Sequence, residues 1–142
     1  MPTVLGIDHL VLRVTDLAAM LDFYVEGLGC AVERHDEALG LVQLRAGDAL
    51  IDLVPVDGEL GRRGGAAPGA EGHNLDHFCL RLAHFDADRL RAELATHGIV
   101  LGEVKRRRGA EGAGPSAYVE DPMGNRVELK GPPEGAGRAA GC

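Results

Sequence analysis

The chain has 142 residues, of which 45% are apolar and 26% charged, a mixture that supplies a packed core and excludes a disordered polymer. Its formal net charge of −7 argues against nucleic acid as a partner, because phosphate binding relies on a basic stripe. Three cysteines without a spaced framework, a start without signal-peptide order and no apolar run near the roughly 18 residues of a membrane span set the expectation of a cytoplasmic protein with no membrane partner.

The chain opens on an apolar strand, residues 5–14, followed at Asp16 by a side chain able to cap a helix N-terminus. Leu17, Met20, Leu21, Tyr24 and Leu28 keep helical spacing, and Gly27 and Gly29 end the helix. Three strands are predicted next, at residues 31–34, 39–45 and 49–56, the last two separated by the turn AGD. The Gly-rich stretch 57–74 then reads as a linker or loop.

After the linker the order begins again. "LDHFCLRL" at 75–82 repeats "IDHLVLRV" at 7–14, and Asp86 caps a second helix that carries Leu90 and Leu94 and stops at Gly98. Strands are predicted at residues 100–105, 116–120 and 126–130, with EDPMGN as the turn between the last two. The basic run KRRR at 105–108 reads as a solvated strand end or loop, with contact to an anionic ligand as the second reading. The tail, 131–142, reads as disordered. The organisation expected is a single domain of two modules, 5–56 and 75–130, joined by the linker.

Strand side chains alternate between faces. Leu10, Leu12 and Val14 therefore share the helix side in the first copy, and Phe78, Leu80 and Leu82 do so in the second. His9 and His77 fall at equivalent positions on the other side. The same rule places Ile51, Leu53, Val127 and Leu129 under the helices, and Asp52 and Glu128 with the histidines. Two imidazoles with carboxylates suit a divalent ion such as Fe, Mn, Ni or Zn, and a set of three ligands leaves coordination positions open for a substrate. By the same parity Cys79 lies beside the site, where a buried small hydrophobe is the default reading. His35, His73, His84 and His97 show no partner pattern and read as surface residues.

The two DH strand starts, "FYVEGLGCAVE" at 23–33 and "SAYVEDPMGNRVELK" at 116–130 resemble the glyoxalase, bleomycin-resistance and extradiol-dioxygenase superfamily, the vicinal oxygen chelate proteins. The resemblance runs over residues 5–130. It implies an α+β fold of two tandem βαβββ modules whose curved mixed sheets enclose a metal and substrate cleft, and it places the family's metal triad on His9, His77 and Glu128. The fourth ligand position of glyoxalase I-type isomerases falls on Asp52, one methylene shorter than the usual Glu. Tyr118 stands ten residues before Glu128, as does the active-site tyrosine of extradiol dioxygenases, and strand parity turns it to the histidine side. The stretch "KRRRGAEGAGPSA", however, has no histidine where those dioxygenases carry one, and Ser116, Tyr118 and DPMGN look equally like the fosfomycin-resistance thiol transferases.

The resemblance implies a metal-dependent enzyme, a dioxygenase, lyase or isomerase or a thiol transferase. Its substrate would be a small oxygen-rich molecule chelated through adjacent oxygens, with Tyr118, Glu128 and Asp52 as catalytic candidates. The alternative is a non-catalytic antibiotic-binding protein of the bleomycin-resistance type. Short two-module members commonly pair as homodimers, and the linker is long enough for the modules of neighbouring chains to exchange.

Overall fold

A computed structural model describes residues 1–135, and the remainder of the expected disordered tail, 136–142, lies outside the described residues. The chain divides into two compact units, Met1–Gly72 and a second beginning at His73, so the boundary falls inside the Gly-rich stretch.

In the first unit β1 (His9–Val14) leads into α1 (Leu17–Leu21), then β2 (Ala31–Asp36), β3 (Leu41–Ala46) and β4 (Ala49–Pro55). The sheet order is β1-β4-β3-β2. β1 runs parallel to β4, and the other neighbours are antiparallel. The helix starts as expected, the Asp16 carboxylate accepting a bond from the Ala19 amide at 3.0 Å. It does not continue as a regular α-helix, because a π-helical turn occupies Asp22–Gly27. The wider turn lets two successive aromatics face inward, Phe23 at 4% and Tyr24 at 0% exposure, their rings packed edge to face at 4.9 Å. Leu12, Val14, Ile51 and Leu53 are buried on the face assigned to them, while Val11 on the opposite face is exposed.

The second unit repeats this plan with β5 (Phe78–Arg81), α2 (Ala87–Ala95), β6 (Lys105–Gly109), β7 (Gly112–Glu120) and β8 (Arg126–Lys130). Its sheet order, β5-β8-β7-β6, and its parallel β5/β8 pair mirror the first. Asp86 caps α2 through the Arg89 amide at 3.1 Å, and Gly98 takes a left-handed φ of 70° after the helix. Between β7 and β8 the Asp121 carboxylate accepts from the amides of Met123 and Asn125, both at 2.9 Å. The fold class read from the sequence is thus observed, as two four-stranded mixed sheets that are not closed into barrels.

Three local expectations are corrected. The strand predicted at 100–105 is irregular up to residue 104, though Leu101 within it and Ile99 just before it are buried. The strand is the basic run itself, β6, paired with β7 in a hairpin closed by Gly109 and Gly112. β6 is an edge strand, where charged side chains are tolerated and protect against edge-to-edge association. The linker is organised at its start: Arg13 donates to the carbonyls of Gly61, Gly64, Gly65 and Ala66 at 2.7–3.1 Å, around a 3₁₀ turn at Gly61–Gly64. Residue 61 must be glycine there, because a Cβ would stand 1.8 Å from the Pro55 carbonyl oxygen, whereas at residue 64 a Cβ would displace the Arg13 guanidine, 2.3 Å away. Finally, the start of the tail lies along β7, with Gly131 bonded to Pro115 and Glu134 to Ala113.

Candidate functional site

Each unit carries a histidine tied to the aspartate before it. His9 opens β1, and its Nδ1 lies 2.6 Å from Asp8 Oδ1. His77 immediately precedes β5, and its Nδ1 lies 2.6 Å from Asp76 Oδ2. The bond to His77 and the charge of Arg126 hold Asp76 below the usual carboxylate range, with desolvation opposing them. Asp76 is therefore an ionised acceptor, and His77 Nδ1–H must be the donor. An imidazole whose Nδ1 is held by a neighbouring carboxylate is the arrangement common to metal-ligating histidines.

In the first unit the hydrogen bond to Asp8 raises the pKa of His9 above 6.5; desolvation opposes the shift, and the charges of Asp52 and Asp8 add to it. The proton on His9 thus favours the folded state below the unfolded value, and this contribution is lost as pH rises through the raised folded value. An Asp8→Asn protein is expected to show its His9 titration midpoint shifted down toward 6.5, followed by NMR of the ring protons. An unchanged midpoint would remove Asp8 as the cause.

Asp52, 5% exposed, stands on the β4 side of the β1/β4 pair. Both of its oxygens accept from the side-chain amide of its cross-strand neighbour Gln43, each at 3.2 Å.

The second unit holds the denser cluster. Glu128 Oε2 lies 3.3 Å from His77 Nε2. The other carboxylate oxygen, Oε1, is buried and has no hydrogen-bond partner among the described residues, although buried polar atoms nearly always find one. Tyr118 faces Glu128 across the β7/β8 ladder. The His77 ring meets it edge-on at 5.2 Å, and the guanidinium groups of Arg107 and Arg126 lie 4.7 and 4.4 Å from its ring centre. Arg107 is positioned by two bonds from Nη1 to Ser116, 2.8 Å to the carbonyl and 2.9 Å to Oγ. The Cys79 thiol is pushed up to about 11, by desolvation first and the Glu128 charge second, against the opposing charge of Lys130. It is a neutral thiol at physiological pH and a poor nucleophile.

The structure therefore pairs His77, Glu128 and Tyr118 in the second unit, and His9 with the field of Asp52 in the first. Among the described residues no group of three or more His, Cys, Asp or Glu side chains is arranged to hold a metal ion. Sequence reasoning missed Gln43, Arg126 and Lys130 as part of these faces, and it singled out Arg107 only as one residue of the basic run, without a face. Arg107 would have been found by strand parity had the strand been placed on the basic run. No helix among the described residues is long and apolar enough to cross a membrane.

Comparison with curated protein sequences gave no match. Among solved structures, an integron cassette protein from the mobile metagenome of V. cholerae is 26% identical with a TM-score of 0.69, over 92% of this chain and 98% of that one. A lactoylglutathione lyase from Agrobacterium tumefaciens shares the fold at 20% identity and a TM-score of 0.64, over 92% and 96% of the two chains. An antibiotic-binding protein from Streptomyces shares it at 22% and 0.67, over 93% and 99%. A family model matches residues 6–129, and with it the duplicated βαβββ plan has its explanation: the chain belongs to the Glyoxalase/Bleomycin resistance protein/Dioxygenase superfamily.

Proposed function

We propose that the protein is a metal-dependent enzyme whose divalent ion is held by His9, His77 and Glu128 and which acts on a small, oxygen-rich substrate. The observation that carries this reading is the buried, unpartnered Oε1 of Glu128, beside a His77 whose Nδ1 is engaged by Asp76. A carboxylate oxygen without a donor beside an imidazole nitrogen aimed at the same carboxylate is what a cation would satisfy, and the N/O donor set suits Fe, Mn, Ni or Zn. A bound ion supplies Lewis acidity to adjacent substrate oxygens.

The chain's own residues do the rest. Asp8 and Asp76 hold the two imidazoles in place through their Nδ1 atoms. Tyr118, fixed between two guanidinium groups, directs its hydroxyl chemistry at an ionised substrate oxygen as a hydrogen-bond donor. Asp52, whose two oxygens both accept from the Gln43 side-chain amide nitrogen, faces substrate rather than metal. Elemental analysis of protein purified without added metal tests the reading, followed by a turnover panel of catechols, hemithioacetals of 2-oxoaldehydes, and fosfomycin with thiols. Metal-free protein that neither takes up a divalent ion nor turns over any of these would reject it.

A second reading, small-molecule binding without catalysis, has one observation in its favour. The family to which the chain belongs includes bleomycin-resistance proteins. The two readings differ in whether the halves of the site are completed by assembly. The first unit leaves Leu5, Ile7 and Val11 exposed at 98, 79 and 51%, along an edge strand and its approach, which supports a homodimer in which that edge is covered. Mixing His9→Ala and Glu128→Ala proteins under subunit exchange is expected to restore one good site in each mixed dimer, read as metal content and turnover. Absence of recovery in demonstrated heterodimers would mean that each site is built within one chain.

A further inference from the structure

The two Asp-His pairs belong to the same repeat, yet they are supported differently. In the first unit His9 stands opposite Leu50 on β4, and the Asp8 side chain that meets its Nδ1 is 90% exposed. In the second unit Phe78 pairs with Val127, so the residue just before that pair on β8 is Arg126, at the place Leu50 holds in the first sheet. Arg126 shares the face of Glu128, two residues further along β8, and of Tyr118, the cross-strand neighbour of Glu128.

A guanidinium at that place meets two partners. Arg126 Nη1 lies 3.7 Å from Asp76 Oδ2, the same oxygen that lies 2.6 Å from His77 Nδ1. Its Cζ lies 4.4 Å from the centre of the Tyr118 ring, and the His77 ring meets that tyrosine edge-on at 5.2 Å. A planar guanidinium lays its face on a ring while its N–H edge stays available to a carboxylate, so the two contacts do not compete. Tyr118, Arg126, Asp76 and His77 thus form a ring of contacts that closes on itself. An exposed ion pair alone holds little in place, but in a closed ring each member is fixed through two neighbours.

We infer that Arg126 is a positioning residue of the second unit: one guanidinium holds the Tyr118 ring and, through Asp76, the His77 ring, so that both keep their edge-on arrangement beside Glu128. Its effect on a ligand is exerted through Asp76 and Tyr118. The first unit carries Leu50 at this place, so the support belongs to His77 and not to its counterpart in the repeat. The consequence for metal affinity rests on the proposed metal site, whereas the placing of His77 and Tyr118 does not.

The chain has two tyrosines, Tyr118 and the fully buried Tyr24 of the other unit, so full-length protein with ¹³C-labelled tyrosine and histidine, stripped of metal with a chelator, carries its own reporter and its own control. The parent is expected to show a nuclear Overhauser contact between the His77 and Tyr118 rings. Arg126→Leu, which gives the second sheet what the first already has, should lose that contact and move the Tyr118 ring signals, with the Tyr24 signals and the urea midpoint unchanged. Arg126→Lys, with the charge but without the plane, should recover part of the contact. Should Arg126→Leu not fold, Arg126→Gln carries the test. In a zinc titration of the same proteins, Arg126→Leu is expected to weaken affinity by about three- to tenfold, less than Asp76→Asn, and to add nothing in an Asp76→Asn background. A parent that takes up no zinc rejects the proposed metal site, and the ring contact then decides the inference. Parent-like ring contact and Tyr118 signals in folded Arg126→Leu, or a loss of zinc affinity that adds in full to that of Asp76→Asn, would overturn it.

Discussion

Replacing His77 with alanine is expected to take the divalent metal content of the protein from about one ion per chain to near zero, measured by elemental analysis after purification without added metal. The residue stands 3.3 Å from Glu128 and has its other nitrogen engaged by Asp76, so its loss removes a preorganised donor rather than a mobile one. Glu128→Ala is expected to do the same, since it removes the buried oxygen that lacks a partner. Asp76→Asn should be milder, weakening affinity by about 10- to 100-fold, as is usual when the hydrogen-bond partner of a ligating histidine is lost. Asp52→Ala should leave metal content unchanged and lower turnover, because Gln43 already donates to both of its oxygens. Parent-like metal content in a folded His77→Ala protein would sink the ligand assignment.

The second large effect is on stability. Leu129→Ala and Leu53→Ala remove side chains that are 1% and 0% exposed, each on the buried side of the strand that carries a candidate site carboxylate. Cavity formation together with lost transfer energy makes the expected cost about 2–5 kcal/mol for each. Because the two positions are equivalent in the duplicated sheets, their costs should be similar. Urea denaturation checks this through a lower midpoint at unchanged slope. A loss below about 1 kcal/mol at either position would mean that the surrounding core closes over the gap.

What the sequence made legible follows from period and capping. The alternation in residues 9–14 and 126–130 assigned Leu12, Val14, Val127 and Leu129 to the core, and all four are buried. Asp16 and Asp86 announced their helices because a cap needs only a short acceptor three residues before an amide. What escaped were features set by tertiary partners. The π turn at Asp22–Gly27 has the same apolar spacing as an α-helix until one asks which ring fills the core. β6 is four charged residues and a glycine, without the apolar alternation that marks a strand, and it exists because β7 offers it a hydrogen-bonding edge. The anchoring of the linker depends on Arg13, some 50 residues earlier in the chain, a contact that no local pattern encodes. The aspartates of the two DH pairs were visible as letters, but their bonds to the histidine nitrogens required coordinates.

The cross-strand neighbours of the two carboxylates differ in a way that bears on how duplicated halves come to do different work. Gln43 lies opposite Asp52 and gives it two donated bonds, whereas Tyr118 lies opposite Glu128 and offers it a ring. A carboxylate with its oxygens occupied has little left for a cation, and the one facing an aromatic keeps an oxygen without a partner among the described residues. Two copies that began with the same geometry can therefore divide their labour through a single neighbouring side chain, without any change of backbone. In such a fold the history of a lost or gained ligand is written on the adjacent strand as much as at the ligand position itself.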